Sequence, residues 1–75
     1  MASHPDTNYN YQLIKLYEVL DMTALSRSSL YALIAKGQFP APVKIGPRAS
    51  AWNHSEIADW IDARIAERDQ ARSAA

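Results

Sequence analysis

Cysteine is absent from this 75-residue chain, which excludes a disulfide framework and a thiolate metal site. The two histidines, His4 and His54, are 50 positions apart, and neither has a partner at metal-ligand spacing. With two glycines in all, the chain has no glycine-rich phosphate loop. Asp59 and Asp62 share an exposed helical face, where carboxylates are usually solvated rather than catalytic. We therefore expect no catalytic residue, no metal site, no cofactor and no enzymatic activity.

Long apolar runs and a secretory signal are also absent. The longest apolar runs are a few residues, well short of the roughly 20 that a membrane-spanning helix needs. Residues 1–10 lack the basic and apolar regions of a signal peptide. Together with the lack of cysteine, these absences predict a protein of the cytoplasm that does not act at a membrane.

Acidic residues are missing from the middle of the chain, although the net charge is zero. Residues 22–55 contain no aspartate or glutamate, whereas residues 1–21 carry a net charge of −2 and residues 54–69 one of −3. The acid-free stretch holds four cations, namely Arg27, Lys36, Lys44 and Arg48. Such segregation gives a basic surface on a neutral molecule, as DNA-binding proteins require, although four cations in 34 residues also fit ordinary composition.

Two short helices joined by a tight turn are predicted in the first half of the chain. Apolar spacing predicts the first over residues 17–22, after a short edge strand at residues 12–16. The second is predicted over residues 27–36, because Ser26 is a strong N-cap and Gly37 stops the helix. A separation of three or four residues is typical of a helix-turn-helix.

A β-hairpin of some ten residues is predicted next. Pro40 and Pro42 exclude helix and favour an extended path. Residues 43–45 alternate between apolar and polar, Gly46 and Pro47 favour a turn, and residues 49–52 return as a second strand. A hairpin of this size, placed after a helix-turn-helix, has the dimensions of a wing.

A third helix is predicted to start at Asn53, which caps well, with Glu56 placed to complete a capping box. Its inward face is an apolar stripe made of Ile57, Trp60, Ile61 and Ile65. Trp52 and Trp60 are predicted to be core residues rather than stacking platforms for bases. The predicted fold class is mainly α with a small β-hairpin, a single-domain winged helix-turn-helix. It divides into a flexible arm (1–11), the DNA-binding domain (12–69) and a C-terminal tail (70–75).

Four segments occur in the order found in one known family: LSRSSLY at residues 25–31, FPAPVKIGPRA at 39–49, Trp52, and EIADWI at 56–61. This combination resembles the AlpA-type prophage regulators, which are similar to small phage excisionases and to the DNA-binding domains of MerR-type regulators. The resemblance covers about residues 13–69. It implies a winged helix-turn-helix that regulates prophage or integrative-element genes, or that directs excision by an integrase.

The chain departs from the family pattern at three positions. Ala32 and Ala41 stand where the family often has basic residues, and Ser50 stands where an apolar residue is usual. Both alanines fall on the presumed DNA side, so we expect affinity or sequence preference to differ from that of relatives.

Seven side chains are candidate DNA contacts: Arg27, Ser28, Ser29, Tyr31, Lys36, Lys44 and Arg48. Because Leu30, Leu33 and Ile34 face inwards, the start of the second helix is free for the major groove. Arg27 is the best base-reading candidate, since its guanidinium can hold guanine O6 and N7 together. The competing interpretation is a solvated arginine or a salt bridge to Glu18 or Asp21. The two serines can equally donate to phosphate or be hydrated.

The remaining candidates have structural alternatives too. Tyr31 can bring its hydroxyl to a phosphate or belong to the rim of the core. Lys36 complements the helix dipole with or without DNA. Lys44 is expected to point away from the apolar face of its neighbours Val43 and Ile45. If Trp52 is buried, Arg48 must lie in the turn or beyond a bulge, from which it can enter the minor groove.

Double-stranded DNA is the partner that this hypothesis requires. It also allows an integrase or RNA polymerase as a protein partner, and a homodimer or a cooperative multimer on DNA. The alternative from a different class is a protein–protein interaction module, antitoxin-like or an adaptor domain, that docks through its acidic last helix.

Overall fold

Three helices and three short strands make up the part of the chain that the computed structural model describes, residues 12–74 with side chains to Arg72. The elements are β1 (Leu13–Ile14), α1 (Leu16–Thr23), α2 (Arg27–Ala35), β2 (Val43–Gly46), β3 (Ala49–Asn53) and α3 (His54–Ala74). The strands form an antiparallel sheet in the order β1-β3-β2. The prediction of a mainly helical winged helix fold with a small sheet is confirmed, and the predicted arm (residues 1–11) lies outside the described residues.

A three-residue turn joins α1 to α2. Ala24 ends α1 in the left-handed conformation, with φ of 62°, and its N–H donates to Leu20 O at 2.8 Å. Ser26 then caps α2, because its Oγ accepts a hydrogen bond from the Ser29 N–H at 3.1 Å. At the other end Gly37 has φ of 72°, a conformation that glycine adopts without steric cost. The predicted cap, stop and helix-turn-helix are thus all present.

The second and third strands form a hairpin, called the wing below and comprising residues 43–53. Val43 pairs with Ala51 and Lys44 with Ser50, but Gly46 pairs with Ala49, so Ile45 is one extra residue in β2. An insertion of this kind is a β-bulge, which bends the strand and increases its twist. The other side of β3 pairs with β1, which makes β3 the central strand.

The core lies between the sheet and the three helices. Its buried cluster takes one residue from each of β1, α1, α2, β3 and α3 and one from the segment between α2 and β2: Ile14, Val19, Leu30, Trp52, Ile57 and Phe39. Leu33, Ile34, Trp60 and Ile61 pack against this cluster and are partly buried. The prediction that Trp52 is a core residue is therefore confirmed, whereas Trp60 lies at the edge of the core.

Two indoles fix the segment between α2 and the wing, residues 36–42, called the link below. Trp52 Nε1 donates to Pro40 O at 3.1 Å, and Trp60 Nε1 donates to Gln38 O at 2.9 Å. Phe39, between these two carbonyls, packs edge-on against the Trp60 ring with centroids 4.9 Å apart. An extended link containing prolines has few donors of its own, so side-chain donors satisfy its carbonyls and fix its path.

The last helix begins as predicted and then differs from the prediction. Asn53 Oδ1 accepts from the Ser55 and Glu56 N–H groups at 2.8 and 3.3 Å, so Asn53 is the cap. No return bond from the Asn53 N–H to the Glu56 carboxylate is present among the described residues. Ile65, predicted to face the core, is 44% exposed, because α3 projects past the sheet after Ile61.

The same helix also continues through the segment predicted to be a tail. It runs from His54 to Ala74, 21 residues, so residues 70–74 are helical. Every side chain from residue 62 to residue 72 is exposed. The Arg64 guanidinium packs over the Trp60 ring, with its Cζ 4.9 Å from the ring centroid. Beyond that contact the outer part relies on good helix formers and on an i,i+3 salt bridge between Arg64 and Glu67.

Candidate nucleic-acid interface

The outward side of α2 is set by what the helix buries. Leu30 is fully buried, and Leu33 and Ile34 pack against the core. Since successive residues of a helix are about 100° apart, the side opposite these three carries Ser28, Ala32 and Ala35. All three are exposed. This exposed side of α2 is called the α2 outer face below.

Two flanks border the α2 outer face. Arg27 and Tyr31, one helical turn apart, share one flank, and Ser29 and Lys36, two turns apart, share the other. All four residues are exposed, with Tyr31 at 45%. A helix lying in the major groove has base edges in front of it and a sugar-phosphate backbone on each side. The five candidate residues of α2 are therefore distributed over one face and both flanks.

The serines of α2 differ in what they already contact. Ser29 belongs to the helix cap, since its N–H donates to Ser26 Oγ and its own Oγ accepts from Ser26 Oγ at 2.9 Å. Its hydroxyl hydrogen is still available to a phosphate oxygen. Ser28 is exposed on the outer face, and no hydrogen bond of its hydroxyl occurs within the described residues.

Lys36 stands at the end of α2 as its C-cap. Its N–H donates to Ala32 O and Leu33 O, both at 3.2 Å. Its exposed side chain carries a positive charge at the C-terminal end of α2, where a cation complements the helix dipole whether or not an anion is bound.

Lys44 lies on the side of β2 opposite Val43, as alternation predicts, but its apolar neighbours are not covered. Val43 and Ile45 are 42% and 49% exposed, so the apolar face that they were predicted to form does not belong to the core. The reason is topological, since α1 and α3 pack against β3 while β2 is an edge strand. Lys44, paired with Ser50, lies on the side of the sheet that carries Trp52 and is exposed. Both sides of β2 are thus open to a ligand.

Arg48 occupies the tip of the wing. It lies with Pro47 in the two-residue turn between β2 and β3, and both are exposed. The guanidinium therefore falls outside the alternation that places Ser50 and Trp52 on one side. This is the position that a buried Trp52 requires, and it confirms the prediction that Arg48 lies in the turn.

Charge is segregated in space as it is in sequence. In residues 12–74 the salt bridges are Arg64–Glu67 and Arg68–Asp69, both on α3. Within that range no carboxylate pairs with any cation of the acid-free stretch, and the predicted alternative of an ion-paired Arg27 is not observed. Those cations, Arg27, Lys36, Lys44 and Arg48, are all exposed. The surface of α2 and the wing thus carries unneutralised positive charge.

Other kinds of site have little support in the described part of the chain. No group of three or more His, Asp or Glu residues within it is placed to hold a metal ion. His54 opens α3, where its N–H donates to Gln12 O at 2.8 Å and links the helix start to β1. None of the helices in residues 12–74 combines the length and apolar content that a membrane crossing requires.

Three residues of this surface were not among the seven candidate DNA contacts, although Ala32 was already expected on the presumed DNA side. Ala32 and Ala35 lie on the α2 outer face, and Pro47 lies beside Arg48 at the tip of the wing. The alanines carry no polar group, so a search for hydrogen-bond donors passes over them. The apolar stripe of α2 was the available signal, because the residues opposite a buried stripe must face outwards.

Comparison with known proteins agrees with this architecture. The model of the family described as "Prophage CP4-57 regulatory protein (AlpA)" matches residues 12–65. A protein of Enterobacteria phage P4, "Uncharacterized protein ORF88", is 44% identical over 57 residues, which are 76% of this chain. The matched stretch spans 65% of that relative's length. The matched residues include both helices of the helix-turn-helix, the wing and the packed part of α3, and the chain therefore belongs to the AlpA family of prophage regulatory proteins.

Proposed function

We propose that this chain is a sequence-specific double-stranded DNA-binding protein that regulates prophage or integrative-element genes, or acts as an excisionase-like recombination directionality factor. The observation that carries the proposal is the surface formed by α2 and the wing. It contains four exposed cations and no carboxylate, and no salt bridge within the described residues neutralises it. Membership of a family of phage regulatory proteins supports a regulatory role for that surface.

In the proposed complex α2 lies in the major groove and the wing lies against the adjacent backbone. Arg27, at the first turn of α2, contacts a base edge, as residues at the start of a recognition helix do. Lys44 contacts a phosphate, and Arg48 enters the minor groove from the tip of the wing. Phosphate contacts position the domain and carry no sequence information, so Arg27 is the main source of guanine recognition.

More than one copy is needed for tight binding in this proposal. A single domain offers four cations to the phosphates, and its affinity rests mainly on the counterions that they release. We propose that two or more copies occupy repeated sites in the cytoplasm of a bacterial host.

Gene regulation and excision control would use the same DNA-binding surface. A target site beside an integrase gene would favour excision control, with integrase as the protein partner.

Selection of bound sequences from a random pool of duplexes tests the proposal. We expect the full chain to enrich a defined motif, and repeated motifs to bind more tightly than single ones. Footprinting on the host genome then locates the natural sites relative to neighbouring genes. An oligomer that enriches no sequence and ignores duplex DNA at low salt would contradict the proposal. It would favour the alternative, a protein-interaction module that docks through its acidic last helix, α3.

Lys44→Ala is expected to weaken binding uniformly across DNA sequences and to flatten its salt dependence. Each phosphate contact contributes about −0.9 to the slope of log K against log salt, so the variant should lower the steepness by about one contact. The measurement is fluorescence anisotropy on the selected site between low and physiological salt. Arg68→Ala is the matched control, because it also removes one exposed cation but on α3. An unchanged slope for Lys44→Ala would remove the wing strand from the interface.

A further inference from the structure

We propose, building on the DNA-binding function above, that the α2 outer face reads thymine methyl groups. In this proposal Ala32 and Ala35, flanked by the Tyr31 ring, contact the 5-methyl groups of thymines in the major groove. Side chains that read guanine stand only at the ends of α2, as Arg27 and Lys36, and Arg27 is the proposed guanine contact. The expected target therefore carries thymines under the middle of α2 and a guanine near its start.

The chemistry of the α2 outer face excludes the usual polar readout. Bidentate recognition of guanine uses arginine or lysine, and that of adenine uses asparagine or glutamine. Residues 28–35 read SSLYALIA and contain none of these four side chains. The only charged residues near them are Arg27 at the start of α2 and Lys36 at its end. Serine accepts several bases, so the middle of α2 discriminates little through hydrogen bonds.

The geometry of the same face favours apolar contact. Leu30, fully buried, fixes the rotation of α2 about its axis, so that Ala32 and Ala35 must point away from the core. An alanine side chain extends only to Cβ, which lets the helix approach the floor of the groove closely. The feature of the major-groove floor that an alanine methyl can recognise is the thymine 5-methyl group.

Tyr31 contributes the largest apolar area beside these alanines. Its side chain is 45% exposed although it stands on the helix that supplies Leu30 to the core. An aromatic ring on the flank can cover a thymine methyl with its face and reach a phosphate with its hydroxyl. Tyr31 and Arg27 share that flank, so base and backbone contacts on this side occur within one helical turn.

Deoxyuridine substitution tests the inference, because it removes only the 5-methyl group from a thymine. Each thymine of the selected duplex is replaced in turn and binding of the unmodified chain is measured by anisotropy. We expect at least one replacement to weaken binding about fourfold, the factor that corresponds to burial of one methyl-sized group. The Ala32→Gly variant should bind the uracil and thymine duplexes almost equally at one such position, since its half of the contact is already missing.

Ala66→Gly is the matched control. It places the same glycine in an exposed helical position of α3, and its sensitivity to uracil should equal that of the unmodified chain. Binding within twofold for every uracil duplex would overturn the inference while the DNA-binding function stands, and so would a selected motif without thymine. Absence of any selected motif would instead overturn the proposed function. The uracil scan uses the unmodified chain, so it tests recognition of thymine methyl groups even if a glycine variant does not fold.

Discussion

Replacing Arg27 and Arg48 together by alanine is expected to weaken binding to the selected site by about 100-fold or more. The two residues contact different parts of the DNA in the proposed complex, one in the major groove and one at the wing tip. A base-edge contact by arginine is worth about 1–3 kcal/mol, and distant contacts add approximately independently. Anisotropy titrations on specific and scrambled duplexes measure the loss, which should be larger on the specific duplex.

The Arg68→Ala, Arg72→Ala double variant is the matched control for that experiment. It removes two exposed cations as well, but from the outer part of α3. Binding should stay within about twofold, apart from the small long-range effect of net charge, which salt screens. Both double variants should keep the thermal stability of the parent, since exposed substitutions usually change it by less than ~0.5 kcal/mol. Unchanged DNA binding by the Arg27, Arg48 variant would refute the docking mode.

Trp52→Ala is expected to have the largest effect on stability, a loss of about 3–5 kcal/mol. The side chain is 1% exposed, and its removal leaves a cavity at the centre of the core and an unpaired Pro40 O. Small domains have about 5–15 kcal/mol in total, so the variant should be unfolded in a large fraction of molecules at 37 °C. Urea denaturation followed by circular dichroism gives the free energy of unfolding.

Two comparisons separate the contributions of Trp52. Trp52→Phe keeps an aromatic ring in the core but removes the indole N–H, so it should cost less than Trp52→Ala. Trp60→Ala removes a partly buried indole from the edge of the core and should also cost less. A loss below ~1 kcal/mol for Trp52→Ala would show that the domain does not depend on this packing.

The bounds of α2 could be predicted from sequence because local interactions determine where the helix begins and ends. Ser26 and Gly37 mark its ends through local hydrogen bonding and backbone freedom, which do not depend on the rest of the fold. The position of Arg48 was also narrowed by the sequence, since a buried Trp52 allows it to lie only in the turn or beyond a bulge. These features specify where most candidate contacts lie on the chain, although DNA binding by those residues remains a prediction.

The exposure of β2 and the length of α3 could not be predicted in the same way. Alternation shows that Val43 and Ile45 share one side of a strand, but the element that covers that side depends on the long-range order β1-β3-β2. The apolar stripe of α3 predicts burial only as far as Ile61, where the helix leaves the core. Beyond Ile61 the helix is stabilised by helix propensity and by the Arg64–Glu67 salt bridge, and neither can be inferred from apolar periodicity.

The residues that position the candidate DNA interface are different from the residues that would contact DNA. The positioning depends on the two indole hydrogen bonds to the segment between α2 and the wing. Trp52 and Trp60 set where the wing stands relative to α2, and neither belongs to the candidate contacts. If α2 and the wing bind DNA as proposed, residues on their exposed sides can be exchanged while the angle between the two elements stays the same. A change of target sequence would then require substitutions on that surface alone and no change in the fold.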